Sequence, residues 1–211
     1  MTDSYSSNQP PVLSVRNLGV DFPTDSGVFH AVDQVSFDIA AGEVLGMIGE
    51  SGAGKSMTGS AITRLIDPPG RIVSGEIRLQ GERIDTLSDK ELASLRGRRI
   101  GTVFQDPLVS LNPLYTIGQQ LVETIRRHLP LDAVAARKRA VELLTEVGIH
   151  DAEQRLGAYP HQFSGGMRQR VVIALAIAAD PELLIADEPT SALDVSVQAQ
   201  IIALLKRLCI E

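Results

Sequence analysis

The stretch Gly49-Glu-Ser-Gly-Ala-Gly-Lys-Ser56 decides how the rest of the chain is read. It fits the spacing G-x-x-x-x-G-K-[ST]. An apolar run, Val44-Leu-Gly-Met-Ile48, leads in, and a helix-like run, Ser56 to Ile66, leads out. Strand, glycine-rich loop and helix in that order are the setting in which this pattern holds phosphates. Glycines let the backbone bend so that successive N–H groups point inward. The helix N-terminus adds a partial positive charge. The phosphate-binding set is therefore Gly49, Glu50, Ser51, Gly52, Ala53, Gly54, Lys55, Ser56 and Met57. Lys55 reaches the β- and γ-phosphates of ATP, and Ser56 offers a hydroxyl to Mg²⁺, which prefers oxygen ligands.

A second apolar run, Leu183-Leu-Ile-Ala186, ends in Asp187-Glu188-Pro189. Adjacent acids at the end of a buried strand are costly unless something uses them. Asp187 fits the acid that holds Mg²⁺, and Glu188 fits a general base for an attacking water. Asp-Glu-Pro is also good turn chemistry; the phosphate loop upstream tips the reading toward function.

Further short apolar runs read as strands: Val12–Val15, Val35–Ile39, Ile77–Leu79 and Ile100–Phe104. Helical patterns separate several of them, which predicts an α/β fold with a largely parallel sheet. Ser88 to Glu91 fits a capping box ahead of Leu92 and Leu95. From Asp132 to Val147 the pattern predicts a helix with Val134, Val141 and Leu144 on one side and Gly148 as its stop. From Val195 to Leu208, Val197, Ile201, Leu204, Leu205 and Leu208 share a face. The helical stretch from Pro107 to about Gln162, lying between two strands, reads as an insertion into the α/β core. Met1–Pro11 reads as a disordered lead without the apolar centre of a secretory signal.

The totals exclude some classes. Of 211 residues, 20 are Lys or Arg and 26 Asp or Glu, a net charge of −6 that disfavours nucleic acid as a partner. One cysteine, Cys209, permits no internal disulfide. No apolar run is long enough to span a membrane.

Two more segments carry a resemblance. Phe163-Ser164-Gly165-Gly166-Met167-Arg-Gln-Arg170 resembles the signature sequence of ABC ATPases, and Gln105 in Val103-Phe-Gln-Asp-Pro107 resembles their Q-loop. Ser191-Ala192-Leu193-Asp194 resembles the D-loop. Phosphate loop, Q-loop, signature, acidic strand and D-loop follow in the family's order over nearly the whole chain. The resemblance implies the P-loop NTPase core of the ABC ATPase type, with an inserted helical subdomain and an N-terminal antiparallel β subdomain. It places the core at about 12–106 and 167–211 and the helical subdomain at about 107–166. It implies that Gln105 and Glu188 are catalytic, and that Ser56, Gln105 and Asp187 hold Mg²⁺. It also implies that Ser164, Gly165, Gly166 and Met167 meet the γ-phosphate bound by a second ATPase subunit, whether identical or a sister. The remaining partners implied are integral membrane permease subunits and, indirectly, an extracytoplasmic solute-binding protein. The location implied is the cytoplasmic face of the membrane.

Wording around the motifs narrows the resemblance. Phe104 to Gly118, Tyr159 to Arg170 and Asp194 to Ile201 are similar to the ATPases of oligopeptide and dipeptide importers, a group that also serves nickel and some glycosides. Family members stack adenine on an aromatic side chain upstream of the phosphate loop, and Phe22 and Phe29 are both candidates. The family's switch His lies further past Glu188 than Glu211, and His30, His128, His150 and His161 all come earlier. The reading therefore expects this chain to lack that His, its strand and a C-terminal segment. Two alternatives stay open: a nucleotide-binding module with impaired hydrolysis, and a soluble ABC ATPase outside transport.

Overall fold

The computed structural model describes residues 10–191 and 193–210, so most of the expected lead, and Ala192 of the D-loop stretch, lie outside the described residues. The chain divides into two compact units, Met1–Asp89 and Lys90–Glu211.

The first unit is built on an antiparallel sheet of β1 (Leu13–Thr24), β2 (Gly27–Ile39), β3 (Arg71–Leu79) and β4 (Glu82–Arg83), in the order β2-β1-β3-β4. The central strand β1 buries Leu13 and Val15, then Leu18 and Val20. That switch from odd to even positions needs an extra residue, because strand side chains alternate with period two. The register shifts between Val15 and Leu18 against β2, and Asn17 takes a positive φ of 46° there. Gly75 on β3 faces this bulge with φ +98°; a Cβ on it would lie 2.6 Å from the Arg16 carbonyl oxygen, so only glycine fits. Helix α1 (Lys55–Thr63) buries Thr58, Ala61, Ile62 and Thr63.

The expected strand Val44–Ile48 is not formed. Residues 42–50 belong to no strand, and Val44, Leu45, Met47 and Ile48 are exposed, Ile48 at 98%. A strand exists only through a neighbour that takes its N–H and C=O groups. Among the described residues β1–β4 pair with one another, β5 pairs with β6, and neither sheet includes this segment.

The second unit begins in α2 (Asp89–Leu95), whose Leu92 and Leu95 are buried as expected. Strands β5 (Ile100–Val103) and β6 (Leu183–Ala186) pair in parallel, Ile100 opposite Leu183 and Val103 opposite Ala186. Between them run α3 (Pro107–Ser110), α4 (Ile117–His128), α5 (Ala133–Glu146), α6 (Ala152–Arg155) and α7 (Gly165–Ala176). Helix α8 (Val195–Ile210) follows β6. One apolar core joins these helices, including Leu121, Ile125, Leu143, Leu144, Ile173 and Ile201.

Helix α5 starts at an Asp132 cap and stops before Gly148, which takes φ +78°. Its inward face corrects the expectation. Val134 is 80% exposed, and the buried residues are Ala136, Ala140, Leu143 and Leu144. Val134 stands in the first turn, and small alanines let neighbouring helices approach along the rest of the face. Helix α8 buries Ile201 and Leu204 and packs Val197, Leu205 and Leu208 against the core, as its period predicts.

Candidate functional site

The phosphate loop lies in the first unit. Gly52 (φ +84°) and Gly54 (φ +81°) take the left-handed backbone that the motif's glycines were read to supply. A Cβ on Gly54 would lie 2.5 Å from the Ala31 carbonyl oxygen of β2, so this glycine also lets the loop lie close to the sheet. Thr58 closes the first turn of α1, its N–H and hydroxyl both donating to the Gly54 carbonyl at 2.8 and 2.9 Å. Lys55 Nζ donates to the carbonyls of Gly49 (2.9 Å) and Glu50 (2.8 Å), which holds the ammonium against its own loop. Gly49 to Ala53 and Ser56 are exposed, and Gly54, Lys55 and Met57 are half-buried. Nine helical residues follow, enough for aligned peptide dipoles to favour an anion at this end.

Phe22 and Phe29 are direct register partners on β1 and β2, so both leave the same face of the hairpin. Phe22 is half-buried, with its ring and Ile66 both against Gly70, whereas Phe29 is 57% exposed.

The acidic strand end lies in the second unit. The parallel ladder runs one residue past β6, because the Asp187 N–H donates to the Val103 carbonyl at 2.9 Å. That bond sets the ends of β5 and β6 level and brings Gln105 beside Glu188. Gln105 Nε2 donates to Glu188 Oε2 at 2.9 Å. Asp187 is half-buried, while Glu188 and Gln105 are exposed. Glu188 takes a positive φ of 42°. Its carbonyl accepts both the N–H and the hydroxyl of Ser191 at 3.1 Å. A sparsely populated backbone geometry persists where the surroundings over-determine it. Here the two bonds from Ser191 do so.

The D-loop stretch is pinned further by Gln198 of α8, whose Nε2 donates to the carbonyls of Thr190 and Leu193 at 3.0 Å. Asp194 accepts the first α8 bonds, from the N–H groups of Val197 and Gln198.

The signature residues open α7. Ser164 is its N-cap, accepting from the Met167 N–H at 3.4 Å. Its hydroxyl proton is still able to donate. Ser164 and Gly165 are exposed, and Gly166 and Met167 are half-buried. Gly165 lies near Leu193, and a Cβ on Gly166 would meet the Val197 side chain at 2.7 Å, so the D-loop and α8 lie against this turn. Phe163 is buried in the core beneath the Arg155 guanidinium. His161, in a short 3₁₀ turn, Pro160–Gln162, stacks on Tyr159 with ring centroids 5.7 Å apart.

Sequence reasoning missed three features of this region. Arg168 donates to the Pro160 carbonyl at 2.8 Å and fixes the approach to the signature. Gly101 on β5 leaves room for the Ala176 carbonyl of α7, and any Cβ there would collide with it. Gln169 of α7 is buried, and among the described residues its Nε2 has no hydrogen-bond partner. Only Arg168 carried a local signal, as a basic residue beside the signature; the other two depend on partners distant in sequence.

Among the described residues no three His, Cys, Asp or Glu side chains gather as a metal cluster. Gln105 and Asp187 at the strand ends carry side-chain oxygens of the kind a hard cation such as Mg²⁺ takes. No described helix is long and apolar enough to cross a membrane.

Comparison with known proteins agrees with this architecture. The sequence model of the ABC transporter family matches residues 32–191. A Brucella abortus (strain 2308) protein named as a peptide import ATP-binding protein is 54% identical over 205 residues, covering 97% of this chain and 62% of that protein. The dipeptide transport ATP-binding protein DppD of Escherichia coli (strain K12) is 50% identical over 197 residues, covering 93% of this chain and 60% of that protein. The dimeric, post-hydrolysis structure of the ATP-binding cassette MJ0796, bound to ADP and Pi, superposes with a TM-score of 0.81 at 31% identity, covering 93% of this chain and 82% of that one. The chain belongs to the ABC transporter family, and its fold is that of the ABC ATPase cassettes. It spans about three fifths of the length of the curated relatives it matches.

Proposed function

We propose that this chain binds ATP with Mg²⁺ and hydrolyses it to power import of peptides or similar small polar solutes through a membrane partner. The observation that carries the reading is the strand-end arrangement of the second unit, where a candidate base, Glu188, is hydrogen-bonded to Gln105 beside Asp187. Peptides as the solute class rest on the names of the relatives, which couple ATP binding to peptide or dipeptide transport.

In this reading the N–H groups of Gly49 to Ser56 cradle the phosphates and Lys55 neutralises their charge. Ser56, Gln105 and Asp187 would hold Mg²⁺. Bound there, the cation would offset negative charge on the phosphate oxygens. Glu188 accepts a proton from the attacking water as the water oxygen bonds to the γ-phosphorus and the bond from that phosphorus to the bridging oxygen breaks, releasing ADP and phosphate. Ser164 and the first N–H groups of α7 offer the same helix-end attraction to a phosphate held by a second ATPase subunit, identical or a sister. Phe29, the more open of the two aromatic candidates, stacks on adenine.

The exposed apolar residues Leu108 and Val109 of α3, and Leu114 and Tyr115 of the loop that follows it, are offered to a permease on the cytoplasmic face of the membrane. A solute-binding protein enters only indirectly, and nucleic acid has no part. In the same reading the core comprises about 12–106 and 167–211, and the helical subdomain about 107–166.

A second reading, nucleotide binding with slow turnover in the isolated chain, is favoured by one observation. The segment leading into the phosphate loop, Val44–Ile48, is exposed and, among the described residues, joins neither sheet. A titration with a fluorescent ATP analogue and Mg²⁺ tests the shared core of both readings: binding by the chain that collapses in Lys55→Ala supports them, and equal binding by both sinks them. Turnover then separates the two.

A further inference from the structure

We propose that the basic surface where the last turn of α4 meets the turn between α2 and β5 docks on the phosphate groups of an anionic membrane, with Arg98, Arg126 and Arg127 as its cations. The inference rests on the membrane location in the reading above and adds to it a contact made with lipid, separate from the permease.

Six basic residues fall in two short stretches, Arg96, Arg98 and Arg99 on the turn and Arg126, Arg127 and His128 at the end of α4. The fold brings the two together. Gly97 takes φ +76°, and a Cβ on it would lie 2.5 Å from His128 Nε2, so the imidazole lies on the turn itself. A helix C-terminus favours cations in its last turn, which accounts for Arg126 and Arg127 but not for the arginines of the turn. Those differ in what they meet. Arg99 is neutralised by Glu182 at 2.8 Å. Arg98 donates to the Ala179 carbonyl at 2.7 Å, a partner that leaves its charge uncompensated. Arg126 and Arg127 are exposed and have no hydrogen bond or ion pair among the described residues. Like charges gathered in this way make a positive patch on a chain whose net charge is −6. Burial first, then Arg127 and Arg98, push the His128 imidazole below its ordinary range, so that ring registers the patch. Long cationic side chains on an open surface suit phosphates spread over a plane. Helix α4, 12 residues and about 18 Å long, joins this surface to the exposed Leu114 and Tyr115 of the loop before it. The lipid contact and the face offered to the permease are thus one helix length apart.

The test is co-sedimentation of the 211-residue chain with vesicles of phosphatidylcholine alone, or of phosphatidylcholine and phosphatidylglycerol in equal parts. Binding is expected with phosphatidylglycerol and is expected to weaken as salt rises. Arg126→Ala combined with Arg127→Ala is expected to weaken it about 30-fold, for two cations lost from a membrane surface. Arg71→Ala combined with Lys206→Ala removes the same charge from exposed positions on β3 and α8, and is expected to change binding about twofold or less. Proton NMR of His128, assigned by its absence in His128→Gln, supplies a second readout. A short-chain, water-soluble phosphatidylglycerol is expected to raise its titration midpoint, because an anion offsets the charges of Arg98 and Arg127. No preference for phosphatidylglycerol overturns the proposal, as does an equal loss in both double variants. If inorganic phosphate raises the His128 midpoint as far as the lipid does, the site takes a free anion and the membrane docking falls. ATP binding is read separately by the fluorescence titration, in which the Arg126→Ala, Arg127→Ala variant is expected to match the parent chain. Failure on vesicles therefore leaves the ATPase reading standing.

Discussion

The phosphate loop and the signature turn are both glycine-rich, both open a helix, and both are read as phosphate sites, yet they are held in opposite ways. The loop follows an exposed, unpaired segment and leans on β2 through the close approach at Gly54. The signature turn opens a helix whose Val171, Val172, Ile173 and Ala174 are all buried, and Leu193 and Val197 press on its glycines. A phosphate motif is thus a local device made of backbone N–H groups and a cation. The rigidity around it is a separate, non-local property.

The sharpest way to break this comparison is to remove the loop's one ammonium. Lys55→Ala is expected to weaken Mg-ATP binding about 100-fold, or roughly 3 kcal/mol, as for loss of one partner of a charged contact. Circular dichroism should stay unchanged, since among the described residues the Lys55 ammonium bonds just the carbonyls of its own loop. A fall in binding of twofold or less would mean that the loop's N–H groups carry the affinity alone.

The packing contrast has its own test. Leu143→Ala removes a fully buried side chain of α5 and is expected to cost about 3 kcal/mol by denaturant unfolding. Ile48→Ala removes a side chain of similar size that is 98% exposed, and is expected to cost no more than about 0.5 kcal/mol. Comparable losses would show that Val44–Ile48 is packed in solution.

Gly101→Ala probes the support of the signature helix from beneath. The new methyl would meet the Ala176 carbonyl, and overpacking of this kind typically costs about 1–3 kcal/mol. An unchanged melting temperature would mean that α7 moves off β5 without resistance.

These residues also mark what the sequence made legible. The glycine-rich loop, the acidic strand end and α8 were readable because their signals are local: a spacing, an apolar run closed by acids, a period of 3.6. The capping box Thr116–Gln119 at the start of α4 was equally local, with bonds of 3.2 and 2.8 Å, but was passed over. Val44–Ile48 was read as a strand from five residues that suit one, although a ladder is a property of two segments. On α5, hydrophobicity favoured Val134, while close helix approach favoured Ala136 and Ala140. The Gln105–Glu188 bond joins residues 83 apart in sequence, and neither Q-loop nor acidic motif names the other.

The smallest effect belongs to the sheet of the first unit, where the phosphate loop has its closest support. Burial pushes the Asp85 carboxyl up, but the Arg83 guanidinium and the Ile77 N–H at 3.0 Å outweigh it, and the acid is held below the ordinary carboxylate range. A folded-state pKa below the unfolded one means that the unfolded chain binds more protons in that window, so stability rises with pH. The contribution is complete above the unfolded value of about 3.9 and is lost as pH falls through the folded value. Asp85→Asn is therefore expected to cost about 1 kcal/mol at pH 7 and progressively less as the solution is acidified below pH 4. If the gap between wild type and variant stays constant down to pH 2, the Asp85 charge does not hold β3 to the turn that follows it, and the loop's support lies elsewhere in the sheet.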